Sequence, residues 1–414
     1  MTLLADPATY ARGVPHAEFT RRRVADPVSW VDEPELIRHG DTGVRRHRGT
    51  GYWAVTTYAG VVEASRDPGT FSSAERGAFL ADPRTQADLE RNRRLLVNMD
   101  DPAHARLRRT VSAAFTPRAV EPLRASVRAH ADALVARVVA AGEVDAVAEL
   151  AAELPLLVLA DLLGMPYADR GLLFGWSNNL VGFDDPRYGG GQVEVYRRTF
   201  AEAFAYAREL FADRRRDPGD DLISRLVLAE TDGRRLSDAE LCQLWLLLVI
   251  AGNETTRHLV SGSLEALIDH PGERDRLVAD PSLVPAAVEE LLRWVTPIMQ
   301  FRRTARRDTV LCGRPIAAGD KVILYYISAN RDAAVFPDPD RLDLGRAPNP
   351  HLAFGTGPHF CLGAHLARLE AGELLSALLP HLPALRRAGP AERMRSTFMN
   401  AIVRLPVRFD TAAH

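Results

Sequence analysis

Three cysteines lie far apart in the 414-residue sequence, and one of them, Cys361, stands in a loop whose residues favour metal chemistry. Residues 354–363 read Phe-Gly-Thr-Gly-Pro-His-Phe-Cys-Leu-Gly, so two glycines and a proline build a tight loop just before a predicted helix. Unpaired N–H groups and the positive end of a helix dipole lower the pKa of a thiol and stabilise a thiolate. A lone thiolate shielded from water suits an iron ligand, above all for haem iron. A buried structural cysteine on a glycine-rich turn is the alternative interpretation.

A second candidate site interrupts an otherwise apolar helix. Residues 251–256 read Ala-Gly-Asn-Glu-Thr-Thr and lie among Leu, Val and Ile. Glycine costs about 1 kcal/mol relative to alanine inside a helix, and a buried carboxylate or hydroxyl needs a partner. Residues that are unfavourable for the local structure, such as a glycine and buried polar groups inside an apolar helix, are expected at functional sites. A helix with an exposed polar stripe is the alternative interpretation.

Two pairs of charged side chains are spaced to share a helix face. Glu290 and Arg293 are three residues apart and can form an ion pair, which would contribute little on an exposed surface. His104 and Arg108 are four residues apart and can offer cationic donors to a carboxylate. A basic surface helix is the alternative interpretation of the second pair.

These residues must be positioned by a mainly helical framework. A capping box at 237–240 and a stop at 270–271 delimit an apolar run over 241–268, which predicts a helix of about 30 residues and about 45 Å. Spacing also predicts helices over 118–141, 194–215, 284–294 and 362–379, a turn at 217–221, a strand at 49–58, and two short strands around a glycine turn within 309–327. The chain is therefore expected to be mainly α with small β-sheets, as a single large domain over 1–414 with a long central helix.

Composition narrows the classes of function. With 52 Lys+Arg against 54 Asp+Glu and a net charge of -2, the chain lacks the basic excess of a nucleic-acid-binding protein. The wide spacing of the cysteines excludes a disulfide scaffold and a CxxC-type zinc site. No apolar run approaches the roughly 20 residues that span a bilayer, and the N-terminus does not read as a signal peptide. We expect a cytoplasmic protein with no membrane span and no nucleic-acid partner.

The run Phe354-x-x-Gly357-x-x-x-Cys361-x-Gly363 resembles the haem-binding loop of the cytochrome P450 haem-thiolate monooxygenases. The three other motifs agree in order and spacing, so the resemblance covers nearly the whole chain and implies the cytochrome P450 fold. It implies heme b (iron protoporphyrin IX), with Cys361 as the iron ligand and with Gly357 and Gly363 letting the backbone approach the planar group. The cofactor-binding residues that it implies are His104, Arg108, Ala251, Arg303, Phe354, Gly355, His359, Cys361 and Gly363. The members of this set that match positions for the haem propionates are His104, Arg108, Arg303 and His359.

The resemblance also gives roles to the remaining motifs. It implies that Glu290 and Arg293 form a structural triad with Arg341, within FPDPDRLDLGR, and that the triad fixes the cysteine loop. It implies that Thr255 forms a hydrogen bond with the bound oxygen, that Glu254 helps to relay protons, and that the glycine beside them opens the helix. The implied reaction inserts one oxygen atom from O2 into a C–H bond.

The substrate of such an enzyme lies over the distal face of the haem. Positions that would line this space are Leu247, Ile250 and Ala251 on the long helix and Met299 and Phe301 after the ExxR motif. Segments 72–97 and 174–195 match the variable lid segments, and the glycines of the second segment are candidates for a hinge. Residues 302–363, together with AGNETTR, resemble the bacterial subset that oxidises steroid side chains and branched isoprenoid lipids. Oxidation of a secondary metabolite such as a macrolide, polyketide or peptide is the alternative.

The family needs two electrons per turnover, and the sequence shows no module for flavin or an iron–sulfur cluster. The resemblance therefore implies a separate ferredoxin and ferredoxin reductase. Arg106 and Arg109 are candidates to contact an acidic partner, or are ordinary solvated side chains. A peroxygenase, a haem-thiolate sensor or electron carrier and a haem-free helical protein are the competing interpretations. Cys312 stands where the family usually has glycine, and the sequence gives it no role.

Overall fold

The computed structural model describes residues 3–40, 43–83, 85–231 and 233–410. The helices are α1 Pro7–Tyr10, α2 His16–Ala25, α3 Tyr58–Arg66, α4 Gln86–Asn92, α5 Ala103–Ser112, α6 Pro117–Val120, α7 Arg124–Ala141, α8 Glu153–Leu163, α9 Arg170–Val181, α10 Val193–Arg216, α11 Leu222–Leu228, α12 Asp238–Asp269, α13 Pro271–Ala279, α14 Val284–Val295, α15 Tyr326–Ala329 and α16 Ala364–Leu378. The strands are β1 Val28–Val31, β2 Glu35–Gly40, β3 Gly43–Arg48, β4 Tyr52–Val55, β5 Phe71–Ser72, β6 Glu143–Asp145, β7 Glu230–Thr231, β8 Arg234–Arg235, β9 Gln300–Ala305, β10 Thr309–Leu311, β11 Arg314–Ile316, β12 Lys321–Tyr325, β13 Leu385–Arg387, β14 Glu392–Arg393, β15 Ile402–Arg404 and β16 Pro406–Phe409. Helix dominates and the sheets are small, as the sequence predicts.

The long helix α12 forms as the sequence predicts. Ser237 accepts a hydrogen bond from the backbone N–H of Glu240, and the Glu240 side chain accepts one from the backbone of Ser237, which completes the capping box. The helix then runs for 32 residues to Asp269, and Pro271 begins the next helix. Because it packs against α8, α9, α10, α14 and α16, α12 crosses the helical core.

The largest sheet has the strand order β1-β4-β12-β9-β5. The β4–β12 pair is parallel and the other pairs are antiparallel. Strand β12 is buried along its whole length and pairs with β4 on one side and with β9 on the other. Strand β9 carries Phe301 and Arg303, two of the predicted site residues.

One cluster of buried apolar side chains extends from Leu96 to Phe409 and contains residues of most helices. Smaller clusters pack on the sheet around Val322 and Ile323. Because the main cluster links distant parts of the chain, we propose that residues 1–414 form one domain. Within the described ranges, no helix combines the length and the apolarity that a bilayer span requires.

Several boundaries differ from those expected. The strand predicted at 49–58 is confined to Tyr52–Val55, and the 309–327 segment forms three strands and the start of α15. The helix predicted at 118–141 is divided into α6, a 3-10 turn at Glu121–Leu123 and α7. Cys312 occupies the β10–β11 turn with φ +48°, a backbone conformation that favours glycine.

Lys321 is the only lysine of the sequence, and it is buried in β12. Its Nζ lies 2.8 Å from Glu33 Oε2 and 2.8 Å from Asp82 Oδ2. Asp82 also binds the buried Arg302 of β9 at 2.7 Å. This network ties the segment before α4 to the centre of the sheet, and nothing in the sequence pattern singles it out.

Replacing Lys321 with methionine is expected to lower the free energy of unfolding by about 2–3 kcal/mol, because Glu33 loses its cation while it remains buried. The measurement is the urea midpoint of unfolding. Arg235→Met is the matched control, because Arg235 makes an exposed ion pair with Glu230 that should contribute less than about 1 kcal/mol. Equal losses in the two variants would contradict the prediction.

Candidate functional site

The cysteine loop is fixed by backbone hydrogen bonds and by two left-handed glycines. The N–H of Cys361 donates to the carbonyl of Phe354 at 2.9 Å, which closes the loop just before α16. Gly355 and Gly357 have φ values of +69° and +74°. A Cβ on Gly357 would lie 2.5 Å from the carbonyl oxygen of Ser65 at the end of α3. This glycine therefore lets the loop pack on α3, and its approach to a planar group stays a prediction.

The thiol of Cys361 lies in a protein environment that removes most of its hydration. Burial raises the pKa of the thiol above its usual value, although the N–H of Gly363 and the charges of Arg108 and Arg368 act in the opposite direction. The sequence-based expectation of a lowered thiol pKa is wrong for the chain by itself, because desolvation exceeds the contribution of the loop and the helix entrance. The N–H of Gly363 still points at the sulfur, which favours a thiolate once a cation is bound.

Cationic and imidazole side chains meet beside this loop. The rings of His104 on α5 and His359 in the cysteine loop have centroids 4.2 Å apart. Burial, Arg303, His104 and Arg108 together lower the pKa of His359 to about 2, so this ring is neutral. Burial also lowers the pKa of His104. Arg108 donates to the carbonyl of Phe360 at 2.6 Å, and Arg303 on β9 donates to the carbonyl of Arg302 at 2.8 Å.

This donor set is incompletely satisfied by the described part of the chain. His104 is only 3% exposed, yet its Nε2 has no hydrogen-bond partner within the described ranges. Arg303 is buried, and the hydrogen bond of its guanidinium goes to a neighbouring carbonyl rather than to a carboxylate. Such buried donors require acceptors. Two carboxylates of a bound group would supply them.

Open space borders both the loop and the middle of α12. A Cβ on Gly363 would meet no atom within 4 Å among the described residues beyond its chain neighbours. Ala251 is exposed although it lies near the midpoint of a helix that crosses the core, and Leu247, Ile250 and Thr255 are half-buried. Positions 247, 250, 251 and 255 share one helix face. A thiol, unsatisfied donors for carboxylates and an open helix face with a small residue, Ala251, at its centre together fit an iron porphyrin.

The ExxR pair is fully buried and holds the segment before the cysteine loop. Arg293 Nη2 lies 2.7 Å from Glu290 Oε1, and both side chains have no exposed surface. Arg293 also donates to the carbonyls of Asn330, Pro339 and Arg341. The pair therefore binds backbone from a loop far along the chain, which a surface ion pair would not do.

The third member of this triad is Arg346, not Arg341. Arg341 is exposed and contributes only its backbone carbonyl. Arg346 has a side chain that is 8% exposed, and its Nε lies 3.1 Å from Glu290 Oε2. Its guanidinium also donates to the carbonyls of Pro337, Asp338 and Arg341. The loop turns between the two arginines, so only the second one points inward.

Glu254 lies within a buried polar network between α9 and α12. Its carboxylate forms an ion pair with Arg257 and lies 3.3 Å from His258 Nε2. Burial raises the pKa of Glu254, but Arg257 and His258 outweigh it and hold the pKa below its usual value. Arg257 donates in turn to Asn178 on α9 at 3.0 Å. Glu254 is therefore an ionised group with close partners.

Thr255 lies next to this network but faces the open space. Its Oγ1 donates to the carbonyl of Ala251 at 2.7 Å, the bond that a helical threonine makes to its own helix. The helix does not open at the neighbouring glycine, since α12 is continuous through residue 252. A Cβ on Gly252 would lie 2.8 Å from Leu159 of α8, so this glycine lets two helices approach closely.

The predicted substrate residues do not all face the same space. Leu247 and Ile250 lie on the α12 face that carries Ala251. Phe301 is half-buried, and its ring lies 6.2 Å from that of Phe79 and 5.4 Å from that of Phe398. The prediction that Met299 lines the substrate space is wrong. Its side chain has no exposed surface and packs in the core on the sheet side with Tyr52, Ile323 and Tyr325. Phe79 and Phe398 lie far from Phe301 in sequence, and no pattern singled them out.

The two predicted lid segments have defined anchors. In the first, the N–H of Ala78 donates to the buried Asn98 side chain at 2.8 Å. In the second, buried Asp185 binds Arg187 at 2.7 Å and accepts from the N–H of Arg395 at 2.9 Å. A Cβ on Gly189 would lie 2.9 Å from the Cα of Phe183, so this glycine serves close packing. The hinge stays a prediction.

Comparison with known proteins agrees with this arrangement. The family model described as "Cytochrome P450" matches residues 190–406. A steroid C26-monooxygenase of Rhodococcus jostii is 37% identical over 414 residues, covering 99% of this chain and 84% of the relative. A methyl-branched lipid omega-hydroxylase of Mycobacterium bovis is 43% identical over 367 residues, covering 87% of this chain and 85% of the relative. A solved cytochrome P450 of Mycobacterium marinum in complex with pseudoionone has a TM-score of 0.87 and 41% identity, covering 95% of this chain and 94% of its own.

Proposed function

The chain belongs to the cytochrome P450 family of haem-thiolate monooxygenases, and from this premise we propose that it hydroxylates a steroid or a methyl-branched lipid. The relatives named for these two substrate classes cover most of the chain, which supports the proposal. The apolar stripe of Leu247, Ile250 and Ala251 is suited to a lipophilic ligand. If the enzyme instead oxidised a secondary metabolite such as a macrolide, polyketide or peptide, the proposed substrate class would be wrong.

We propose heme b as the cofactor. Cys361 would bind the iron, and its sulfur would receive the N–H of Gly363. Arg108, Arg303, His104 and His359 would bind the two carboxylates, which gives the unpartnered Nε2 of His104 an acceptor. When bound, haem supplies the oxygen-activating chemistry that transfers one atom of O2 to a C–H bond while the other leaves as water.

Two side chains of α12, Thr255 and Glu254, would supply the protons that the reaction consumes. The overall reaction consumes O2, two electrons and two protons per hydroxylated product, so the chain must supply protons to the site. Thr255 Oγ1 borders the open space and can pass a proton once it leaves the Ala251 carbonyl. Glu254 is bound by Arg257 and His258, and it would accept a proton only when one of these bonds is released. We propose Thr255 and Glu254 as the catalytic residues on this basis.

Replacing Thr255 with alanine is expected to leave haem binding intact but to lower the product formed per electron pair roughly tenfold or more, since a proton donor is lost. The lost reducing equivalents should leave as hydrogen peroxide, and the measurement is the ratio of product to reductant consumed. Thr256→Ala is the matched control, because Thr256 is the buried neighbour on another face of α12. Unchanged coupling in Thr255→Ala would remove Thr255 from the relay.

Electrons would come from a separate ferredoxin and ferredoxin reductase. Arg106 and Arg109 are exposed on α5, the helix that carries His104 and Arg108, so they are suited to an acidic donor near the proposed haem edge. A cytoplasmic location stays a prediction.

The observation that carries the proposal is the meeting of Cys361 with unsatisfied donors for two carboxylates. The test is an optical titration of the haem-loaded protein with a steroid, an acyclic methyl-branched lipid and a macrolactone. A low-spin to high-spin shift with the steroid or the branched lipid, followed by a hydroxylated product carrying oxygen from labelled O2, is expected. A response to the macrolactone alone would overturn the substrate class, and Cys361→Ala is the control that should lose the thiolate-ligated spectrum.

A further inference from the structure

Glu289 and Glu290 are adjacent on α14 but serve different parts of the cysteine loop. Glu290 belongs to the buried triad with Arg293 and Arg346. Glu289 turns to the other side and accepts two parallel bonds from Arg368 of α16: Nε to Oε1 at 2.6 Å and Nη2 to Oε2 at 2.8 Å. Two-point pairing of this kind fixes the orientation of the guanidinium as well as its position.

The Arg368 guanidinium lies over the ring of Phe354, with 4.6 Å from Cζ to the ring centroid. The carbonyl of Phe354 is the group that accepts the N–H of Cys361 at 2.9 Å. Arg368 therefore covers the residue that closes the loop at the cysteine. The cation–π contact limits the movement of Phe354 away from α16.

Glu289 holds the loop a second time through His351. His351 Nε2 lies 3.0 Å from Glu289 Oε2, while its Nδ1 accepts the N–H of Ala353 at 3.2 Å. The Nδ1 acceptor role leaves Nε2 as the donor to the carboxylate. Burial raises the pKa of Glu289, but the bonds from Arg368 and His351 outweigh it and hold the pKa at about 2. The carboxylate is therefore ionised, and it joins α14 to His351 before the cysteine loop and to Arg368 after it.

We propose that Glu289 and Arg368 are positioning residues for the thiolate: they fix the loop around Cys361, and the Arg368 charge favours the reduced haem. This rests on the proposed role of Cys361 as the iron ligand. A cation near the sulfur stabilises the extra negative charge that reduction brings, so it raises the reduction potential. The side chains are 33% and 30% exposed, which moderates the charge effect without removing it.

The test uses the haem-loaded protein and reads the reduction potential and the rate at which the thiolate-ligated ferrous carbon monoxide spectrum decays. Arg368→Met should lower the potential, whereas Glu289→Gln should raise it, because one removes a positive and the other a negative charge. Both should speed the decay about tenfold through loss of the two-point contact. Arg368→Lys should leave the reduction potential unchanged, because lysine retains the positive charge. Its spectrum should still decay faster than that of the wild type, because lysine cannot make the two-point contact with Glu289.

Arg393→Met is the control, because Arg393 makes a similarly buried pair with Glu265 near the far end of α12. It should change neither measurement. Potentials that move in the same direction in Arg368→Met and Glu289→Gln, or wild-type decay in both, would overturn the inference. A wild-type protein without the thiolate-ligated spectrum would instead overturn the proposed function.

Discussion

Replacing Arg346 with methionine is expected to lower the free energy of unfolding by about 3 kcal/mol and to reduce haem content, whereas Arg341→Met should change stability by less than about 0.5 kcal/mol. Arg346 donates to Glu290 and to three backbone carbonyls from a side chain that is only 8% exposed. Methionine would fill much of the volume, but it would remove the donor to the Pro337 carbonyl and one of the two cations that bind the buried Glu290. Arg341 participates through its carbonyl, which any residue supplies.

The two variants form a matched pair because they make the same substitution five residues apart in one loop. Urea unfolding of the haem-loaded proteins gives the stability difference, and the haem absorbance per protein gives the cofactor content. Arg346→Lys separates charge from geometry, since lysine cannot reach several carbonyls with one planar group. Comparable losses in Arg341→Met and Arg346→Met would contradict the assignment of Arg346 to the triad.

The misassignment of Arg341 shows where sequence reasoning ends. The ExxR pair was predictable, because i and i+3 spacing on a helix fixes which side chains meet. The third arginine lies in a loop that contains two candidates. A loop has no regular spacing of side chains that would predict which of the two points inward. The N–H of Arg341 donates to the carbonyl of Asp338 and the N–H of Arg346 donates to that of Asp343, so two successive backbone turns, not spacing, set the directions of the two side chains.

Met299 illustrates the same limit in a strand. Residues 299 and 301 would share a face if the strand included both, and the prediction placed both near the substrate. Strand β9 begins only at Gln300, after Ile298 has made an isolated bridge to Met399. Alternation therefore does not extend back to Met299, which turns into the core while Phe301 meets Phe79 and Phe398.

The long helix was predicted well, and its polar centre only in part. The capping box and Pro271 mark both ends of α12 in the sequence itself. The partners of Glu254 on its own helix, Arg257 and His258, follow at i+3 and i+4 and could have been found from spacing. The contact from Arg257 to Asn178 on α9 could not, because it depends on how two helices pack.

Glu370 on α16 is buried, and its Oε2 has no hydrogen-bond partner among the residues that the structure describes. Burial raises the pKa of this carboxyl from its ordinary 4.5 to about 8. The native state therefore retains a proton that the unfolded chain releases between about pH 4.5 and pH 8. Stability is greatest below this window, falls as the pH rises through it, and levels off above it.

Glu370→Gln should consequently change stability little at pH 5 and raise the free energy of unfolding by roughly 4–5 kcal/mol at pH 9, since glutamine keeps the shape and has no proton to lose. Urea unfolding of the haem-loaded protein from pH 5 to pH 9 measures the difference. Glu373→Gln is the control one turn away: Glu373 is paired with Arg124 and Arg128, so its loss should destabilise rather than stabilise at pH 9. A stability gain in Glu370→Gln that did not grow with pH would mean that the carboxyl is already ionised in the folded protein.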